Sequence, residues 1–343
     1  MENRILVTGG AGFIGHHFIL QLLKKTNWHI TSLDRLDVSG NLNRLSEVLN
    51  QFPNSYRRRL KIVFHDLKAE INKIISKNLG NFDYIVHMAA SSHVDRSISD
   101  PLSFVYDNVV GTCNILNFAK NQKKLKKFVY FSTDEVFGPA PKKVKYKEMD
   151  RYNSTNPYSA SKAGGEELAV AYANTYKMPV VITHTMNVFG ERQHPEKFIP
   201  LCIRKILNNQ IIDVHSDSKK KKPGSRYYIH AEDVANGCLF ILVNNFEKKF
   251  PSDFGGAKII KFNLVGPSEK SNLDVVKNIA RVLKKKPKFR LVDFHSSRPG
   301  HDLRYALDGS LLKKLGWYPR LTFEKRIEQV VNWTVSNKNW FKI

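Results

Sequence analysis

The stretch ILVTGGAGFIGHH, residues 5–17, decides the fold of this 343-residue chain. It opens with an apolar run that predicts a buried strand and continues into a glycine-rich turn. Glycine at positions 9, 12 and 15 permits a tight turn, lets the backbone approach a pyrophosphate and lets a helix pack closely on the strand. That helix would begin near Phe13, where its free backbone N–H groups attract negative charge. The stretch therefore predicts a dinucleotide-binding strand–turn–helix unit.

The residues that end the next two predicted strands indicate which dinucleotide binds. Asp34 ends the second strand, nineteen residues after Gly15, and is placed to accept a hydrogen bond from a ribose 2′-hydroxyl. This acid favours NAD over NADP, whereas the adjacent Arg35 leaves NADP open. His65, Asp66 and Leu67 end the third strand and would flank the adenine. The cofactor contacts expected in these segments are Gly9, Gly12, Phe13, Ile14, Gly15, Asp34, Asp66 and Leu67.

Strand-like and helical segments alternate along the first half of the chain. Strands are predicted at 4–8, 29–33, 60–65, 82–88, 126–132 and 179–185, and helices near 13–25, 70–78, 98–121 and 157–177. Such alternation predicts an α/β fold, a doubly wound parallel sheet of the Rossmann type with helices on both faces.

The pattern loosens after about residue 187, which predicts a smaller, interleaved second domain. The segment 226–245 nevertheless resembles a strand followed by a helix that returns to the main sheet. We therefore assign residues 1–186, with roughly 226–265, to an NAD-binding domain. Residues 187–225 and 266–343 are assigned to a substrate domain.

Composition excludes several classes of protein. The chain is 42% hydrophobic, as is ordinary for a globular protein, and its apolar runs are too short to span a bilayer. No secretory signal is recognisable, and the three cysteines lack metal-ligand spacing. These features predict a cytoplasmic protein that binds neither metal nor membrane.

The formal net charge of +24 raises the question of nucleic-acid binding. The dense basic clusters lie at 57–59, 123–127 and 219–222, and none is interleaved with stacking aromatic residues. Charge runs of this kind are usually solvated faces or loops. We therefore expect no nucleic-acid partner, and an anionic small molecule remains compatible with the charge.

A tyrosine and a lysine share one face of the helix predicted for 157–177. Tyr158 and Lys162 are four residues apart in NPYSASKAGGEEL, so their side chains lie side by side. An ammonium beside a phenol stabilises the phenolate and would bring the pKa of the tyrosine toward the working range. Such a pair alone is common on helix surfaces. Together with the glycine-rich turn it indicates a catalytic pair.

Two adjacent carboxylic acids stand where the fifth predicted strand leaves the core, in FSTDEVFG, residues 131–138. Asp134 and Glu135 could form a solvated turn or an acid and a base with divided roles. Two close carboxyls do not both ionise cheaply, so one pKa rises and that group becomes an acid at neutral pH. Neighbouring residues of a strand point to opposite faces, so we expect the strand to have ended by Asp134.

Together these features resemble the extended form of the short-chain dehydrogenase/reductase superfamily and, within it, the dTDP-glucose 4,6-dehydratases. The resemblance covers nearly the whole chain. The motifs that carry it are TGGAGFIG (8–15), AASSHVDRSI (89–98), STDEVFG (132–138), YSASK (158–162), HPEKFIP (194–200), NLDVV (272–276) and RPGHDLRYALD (298–308).

The resemblance implies a lyase that converts a nucleotide-linked glucose to its 4-keto-6-deoxy form, as in the rhamnose pathway. In that reaction Tyr158 takes the proton of the 4-hydroxyl while NAD takes a hydride from C4. Glu135 removes the C5 proton, and Asp134 protonates the departing 6-hydroxyl. The implied catalytic residues are Thr133, Asp134, Glu135, Tyr158 and Lys162.

The resemblance also implies contacts and a partner. It adds Ala89, Tyr158 and Lys162 to the cofactor contacts. It places substrate binding on Ser92, Asn187, Lys197, Arg226, Asn263, Arg298 and His301. It further implies a homodimer, in which the helices near 98–121 and 157–177 pair across a twofold axis as a four-helix bundle.

Several positions depart from the family pattern. Asp107 replaces a hydroxyl residue beside Asn108, and His215 stands where a tyrosine is usual. With the longer loop 216–225, the histidine leaves the nucleobase open between thymine and uracil. A sugar-nucleotide 4-epimerase remains the alternative, although it needs no Asp134–Glu135 pair. A non-catalytic dinucleotide-binding protein and a basic RNA-associated protein are the further alternatives.

Overall fold

The computed structural model describes residues 2–37, 39–246, 259–294 and 303–341. Its centre is a parallel sheet of seven strands in the order β7-β6-β5-β4-β1-β2-β3. These strands are β1 (Arg4–Thr8), β2 (His29–Asp34), β3 (Leu60–Phe64), β4 (Tyr84–His87), β5 (Lys127–Thr133), β6 (Val180–Thr185) and β7 (Ile260–Leu264). The Rossmann fold class expected from the sequence is confirmed.

The central strands are buried because both faces of the sheet are covered by helices. Ile5, Leu6 and Val7 of β1 are all fully buried, as is typical of parallel strands with continuous apolar runs. The strand order reverses between β1 and β4, because the chain first builds outward through β2 and β3 and then returns. Ligands of such sheets bind at this reversal, beyond the carboxyl ends of the strands.

Thirteen helices of the α type lie in the described residues. They are α1 (Phe13–Lys25), α2 (Leu42–Leu49), α3 (Asn54–Arg57), α4 (Lys73–Leu79), α5 (Val94–Ser99), α6 (Pro101–Val105), α7 (Gly111–Ala119), α8 (Pro157–Tyr176), α9 (Phe198–Leu207), α10 (Ala231–Val243), α11 (Asn272–Val282), α12 (Ser310–Lys314) and α13 (Phe323–Ser336). The start of α8 is fixed by a capping box between Asn156 and Ser159, with Pro157 as the first helical residue.

Most of the helix expected over 98–121 is present: α6, a π-helical turn (Tyr106–Val110) and α7 follow one another without leaving helical backbone. Its start differs, because Asp100 precedes Pro101 and its backbone (φ −140°, ψ 72°) is not helical, which separates α5 from α6. Turns of the π-helical type are rare and occur frequently at functional sites.

A second core lies beside the main sheet. It is built from α9, α11 and α13, whose buried residues include Ile203, Ile279 and Ile327. Two further strands, Ile211–Ser216 and Lys288–Asp293, pair in parallel beside these helices.

The chain returns to the main sheet between the parts of this second core. Helix α10 packs against α1, where Lys25 Nζ donates to Asn236 Oδ1 at 2.5 Å, and β7 pairs with β6. Arg326 of α13 ties the second core to α10 through Asp233, with Nη2–Oδ1 and Nε–Oδ2 distances of 2.6 and 3.0 Å. Across the described ranges, none of the helices is long and apolar enough to cross a membrane.

Candidate active site

A cleft of about 850 Å³ runs along the carboxyl ends of the main-sheet strands and extends to the second core. All the cofactor contacts expected from the sequence line it: Gly9, Gly12, Phe13, Ile14, Gly15, Asp34, Asp66, Leu67, Ala89, Tyr158 and Lys162. The same cleft is lined by three of the expected catalytic residues, Thr133, Asp134 and Glu135. The fold therefore brings the predicted cofactor and catalytic residues to one place.

The glycine turn leaves room for a ligand at the N-terminus of α1. Gly9 has a φ of +72°, and a Cβ there would lie 2.8 Å from the backbone nitrogen of Ala89. A Cβ on Gly15 would lie 2.2 Å from the carbonyl oxygen of Gly9, so α1 could not approach the turn this closely with any side chain. No side chain caps α1, so its first N–H groups are available to a pyrophosphate. The turn thus fits a dinucleotide.

Asp34 is held in place at the end of β2 by two backbone amides. Ala11 N donates to its Oδ2 at 3.0 Å, and Leu36 N donates to its Oδ1 at 2.9 Å. Burial raises the pKa of this carboxyl above its ordinary value, and the two amide bonds partly offset the rise. Each carboxylate oxygen retains a lone pair, so a ribose hydroxyl remains a suitable partner.

The strand β5 ends at Thr133, and a 3₁₀ turn, Asp134–Phe137, begins with the acid pair. The expectation that the strand has ended by Asp134 is confirmed. The Thr133 hydroxyl donates to Asp134 Oδ1 at 3.1 Å and is also hydrogen-bonded to the phenol of Tyr158. The end of β5 therefore links the acid pair to the catalytic helix.

Asp134 and Glu135 occupy different environments. Asp134 is 3% exposed, and burial, followed by the neighbouring Glu135, raises its pKa to about 7, although Arg226 and Thr133 lower it in part. Its Oδ2 is buried and accepts no hydrogen bond from any described residue. Glu135 is partly exposed and accepts a bond from Asn156 Nδ2 at 3.3 Å. The pair can thus carry one proton at neutral pH, held on Asp134.

The pKa of Tyr158 differs from the sequence expectation. Burial raises it well above its ordinary value, and the charge of Glu135 raises it further. Lys162 does not offset this, because burial lowers its own pKa to about 7 and its Nζ lies over the ring of Tyr130, 4.4 Å from the centroid. In the protein alone the phenol therefore stays protonated.

Sequence reasoning missed a buried charge network behind Lys162, which we call the Glu166 network. Glu166 is fully buried and contacts Tyr152, His184 Nε2 (3.2 Å) and Lys261 Nζ (2.9 Å). Its charge raises the pKa of Lys162 against the effect of burial. The signal was its position, because Glu166 follows Lys162 by four residues on the same helix.

On the substrate side, four of the seven expected contacts line the cleft: Ser92, Asn187, Lys197 and Arg226. Asn187 Oδ1 is buried and accepts no hydrogen bond from the described residues, as expected of a group that awaits a ligand. Arg226 Nη1 donates to the carbonyls of Ser225 and Leu303, at 2.7 and 2.8 Å, which holds its guanidinium in place.

The expectation that Asn263 binds the substrate stays a prediction. Asn263 is fully buried at the end of β7 and does not line the cleft. Its Nδ2 donates to the carbonyls of Tyr146 and Asp308, each at 3.1 Å, so it holds two loops together. Arg298 and His301, the other two expected contacts, lie outside the described residues. Within those residues, three or more His, Cys, Asp or Glu side chains nowhere gather as metal ligands would.

The GDP-mannose 4,6 dehydratase family matches residues 6–330 of the chain. The chain belongs to this family. Among its relatives, the dTDP-glucose 4,6-dehydratase of Escherichia coli is 34% identical, over 99% of this chain and 95% of the relative. A trifunctional UDP-glucose 4,6-dehydratase, epimerase and reductase of Arabidopsis thaliana is 33% identical, over 99% of this chain and 48% of that protein.

The solved structures agree with the family. DesIV of Streptomyces venezuelae, a dTDP-glucose 4,6-dehydratase with NAD bound, superposes with a TM-score of 0.85 and 33% identity over 99% of both chains.

Proposed function

We propose that the protein is a hydro-lyase that dehydrates an NDP-glucose, dTDP- or UDP-glucose, to the NDP-4-keto-6-deoxyglucose with NAD as cofactor. The observation that carries the proposal is the acid pair. Asp134 has a pKa of about 7 beside the partly exposed Glu135, in the cleft that also holds Tyr158. A 4-epimerase needs no second acid and base at this position, so the pair favours dehydration.

The cofactor, when bound, takes a hydride from C4 of the sugar and returns it to C6 at the end of the reaction. Tyr158 acts as the phenolate, a state that the positive charge of bound NAD⁺ would favour over the protonated phenol of the protein alone. It accepts the proton of the 4-hydroxyl on its phenolic oxygen, and Thr133 hydrogen-bonds the same sugar oxygen. When protonated, Lys162 adds positive charge near the phenolate, and the charge of Glu166 raises the pKa of that lysine against the effect of burial. The oxidised sugar then carries an acidic C5 proton, because the adjacent carbonyl stabilises the carbanion.

The acid pair then carries out the elimination. Glu135 takes the proton from C5, and the C5 electron pair forms the C5–C6 double bond as the C6–O bond breaks. Asp134 gives its proton to the 6-hydroxyl, which leaves as water. A proton returns to C5, and with the hydride that the bound cofactor would return to C6 the product lacks one water. The division of roles follows from burial, which holds the proton on Asp134.

For the substrate we propose contacts to Ser92, Asn187, Lys197 and Arg226. A guanidinium is suited to a diphosphate because its planar fork reads two oxygens at once. We further propose that the second core, with residues 187–225 and 266–343, holds the nucleotide of the substrate. The relatives act on both dTDP- and UDP-glucose by name, so the nucleobase stays open between thymine and uracil.

The test is to incubate the protein and NAD⁺ separately with dTDP-glucose and UDP-glucose and to weigh the products by mass spectrometry. We expect a product lighter by one water with no net NADH. An unchanged mass with a galactose epimer would instead identify a 4-epimerase. No change with either substrate would contradict the proposal.

We also propose a homodimer formed by the helices α5–α8 as a four-helix bundle. Large apolar side chains are exposed on this face, among them Leu102 (59%), Tyr106 (47%) and Tyr176 (50%). Light scattering should give twice the chain mass of 39.4 kDa, and a monomer would contradict the proposal.

We place the reaction in the cytoplasm, where the three free cysteines would stay reduced, and in deoxysugar biosynthesis such as the rhamnose pathway.

A further inference from the structure

A charged pair on the cofactor side of the cleft has no role in the proposed chemistry. Arg35 follows β2 directly, and Asp107 lies in the π-helical turn. Arg35 Nη1 lies 2.5 Å from Asp107 Oδ1, and Nη2 lies 2.8 Å from Oδ2, so the contact is bidentate. Both residues line the cleft in which the dinucleotide is expected.

Each nitrogen of the Arg35 guanidinium contacts a carboxylate. Its Nε donates to Asp37 Oδ2 at 2.7 Å, and its Nη2 lies 2.6 Å from the same oxygen. All three guanidinium nitrogens therefore contact an acid. Among the described residues, one further carboxylate lies near Arg35, with Asp66 Oδ1 3.8 Å from Nη1.

Asp107 is itself held rigidly. Its Oδ2 accepts a hydrogen bond from Ser91 Oγ at 2.5 Å, and its side chain is only 7% exposed. The side chain of the next residue, Asn108, hydrogen-bonds the backbone of the same serine: its Oδ1 accepts from Ser91 N at 2.9 Å and its Nδ2 donates to Ser91 O at 3.0 Å. The π-helical turn thus presents two consecutive side chains to one loop, and the carboxylate stays fixed toward Arg35.

This arrangement has a consequence for the choice of dinucleotide. A 2′-phosphate is best bound by an arginine fork, and Arg35 is the arginine that follows the ribose-binding acid Asp34. A 2′-phosphate could recruit Arg35 only by displacing Asp107, which would leave a buried carboxylate without its partner. We propose that Asp107 makes the cofactor site selective for NAD by withholding the guanidinium of Arg35 from a 2′-phosphate. The inference rests on the dinucleotide site of the proposed function.

Among the described residues, Arg44 and Lys68 are further cations that line the cleft on this side. The guanidinium of Arg44 is buried and donates to the carbonyls of Ala11, Ser39 and Arg192. Lys68 Nζ lies 3.5 Å from Asp66 Oδ2, and its side chain is 45% exposed. It lines the same cleft, so a gain in NADP⁺ affinity must be traced to Arg35 rather than to this lysine.

The experiment measures the dissociation constants of NAD⁺ and NADP⁺ by calorimetry on protein freed of nucleotide. The variants are Asp107→Asn, which keeps the shape and removes the charge, and Asp37→Asn, which removes one charge from the same arginine but keeps the bidentate pair. The double variant Asp107→Asn/Arg35→Gln removes the fork. Asp107→Thr serves in place of Asp107→Asn if thermal unfolding shows that the latter is not folded.

We expect wild-type protein to bind NADP⁺ about 100-fold or more weakly than NAD⁺, and Asp107→Asn to narrow this ratio about tenfold or more, equivalent to ~1.4 kcal/mol. Asp37→Asn should narrow it less than about threefold, and the double variant should restore the wild-type ratio. An unchanged ratio in folded Asp107→Asn would overturn the inference alone. So would a gain in NADP⁺ affinity that survives the loss of Arg35, since another cation, such as Lys68 or Arg44, would then carry it. Failure of the wild-type protein to bind NAD⁺ would overturn the proposed function as well.

Discussion

Asp134 shows how a single side chain acquires an acid's role from its surroundings. A carboxyl with an ordinary pKa of 3.8 would be ionised at neutral pH, but burial and the adjacent Glu135 raise the pKa of Asp134 to about 7. The adjacent Glu135 is evident from the sequence alone. The burial comes from the packing of β5 and the 3₁₀ turn, which contacts α8 and whose Val136 and Phe137 lie in the core beside the main sheet.

The first prediction concerns the variant Asp134→Asn, which keeps the shape and removes the proton. We expect kcat for dehydration to fall by about 10²–10⁴-fold, the usual contribution of a general acid. Exchange of the C5 proton with D₂O solvent should continue, because it needs only oxidation at C4 and Glu135. NMR of the recovered sugar nucleotide measures the exchange.

The matched control for this variant is Asp213→Asn, at an aspartate paired with Arg290 on the surface. It should leave kcat unchanged. Loss of C5 exchange together with dehydration in folded Asp134→Asn would contradict the division of roles between the two acids.

The second prediction is a pH dependence of stability. The folded-state pKa of Asp134 lies above its unfolded value, so the protonated acid stabilises the fold at low pH, and this stability is lost as pH rises toward and through about 7. The Tm of the wild-type protein should therefore drop more between pH 5.5 and 8, roughly one pH unit either side of that pKa, than the Tm of Asp134→Asn. Equal drops in scanning calorimetry would mean that the carboxyl is not desolvated.

At the scale of elements, the Glu166 network joins α8, β6 and β7 through buried charges. Lys261 of β7 contacts both Glu166 and Tyr152, at 2.9 and 2.6 Å, and His184 of β6 lies 3.2 Å from the same glutamate. These contacts hold the helix that carries Tyr158 against the edge of the sheet. The network thus positions α8, the helix of Tyr158 and Lys162, and none of its four residues lines the cleft.

The third prediction compares Glu166→Gln with Glu167→Gln on adjacent positions of α8. The first leaves buried Lys261 without its anion, so we expect a loss of ~3–5 kcal/mol in the free energy of unfolding. The second removes an exposed charge and should cost less than about 0.5 kcal/mol. Urea unfolding measures both, and equal losses would contradict the structural role of the network.

The contribution of the Glu166 network to folding stability changes with pH in the opposite direction from that of Asp134. His184 and Lys261 hold the pKa of Glu166 below its ordinary value despite burial. An acid whose pKa is lower in the folded state stabilises the fold above its unfolded-state pKa. This stability is lost as pH falls toward the folded-state pKa. The acid limb of the wild-type stability profile should therefore be steeper than that of Glu166→Gln.

At the scale of the molecule, the two cores are held together where α13 meets α10. Arg326 is 7% exposed and Asp233 is 5% exposed, and their guanidinium–carboxylate contact is bidentate. Glu232 accepts a third bond from Arg326 Nη1 at 2.7 Å. The cleft lies between these cores, so its width depends on how they pack.

The fourth prediction is that Arg326→Met costs ~3–5 kcal/mol, since it leaves the buried Asp233 without its cation. Differential scanning calorimetry should show one transition for the wild-type protein and an earlier one for the variant. Lys325→Met, at the exposed neighbouring position, is the control and should leave Tm within about 1–2 °C. A variant as stable as the control would show that the two cores do not depend on this contact.

The sequence by itself determined the features that depend on local order. Alternating strands and helices predicted the parallel sheet, because periodicity along the chain reports which residues are buried. The glycine turn, Asp34 and the pair Tyr158–Lys162 could be recognised for the same reason, since each is defined by spacing within one or two elements. The break of the helix over 98–121 was also encoded locally, in Asp100–Pro101, although the prediction overlooked it.

Only the tertiary structure decided which distant residues meet. Arg35 and Asp107 are 72 positions apart, and Glu166 and Lys261 are 95 apart. Asn263 donates to the carbonyls of Tyr146 and Asp308, which lie 117 and 45 positions away along the chain. The physical reason is that a side chain's charge state and partners depend on burial and on crossing elements. The spacing of residues within one segment reports neither the burial of a side chain nor the distant elements that pack against it.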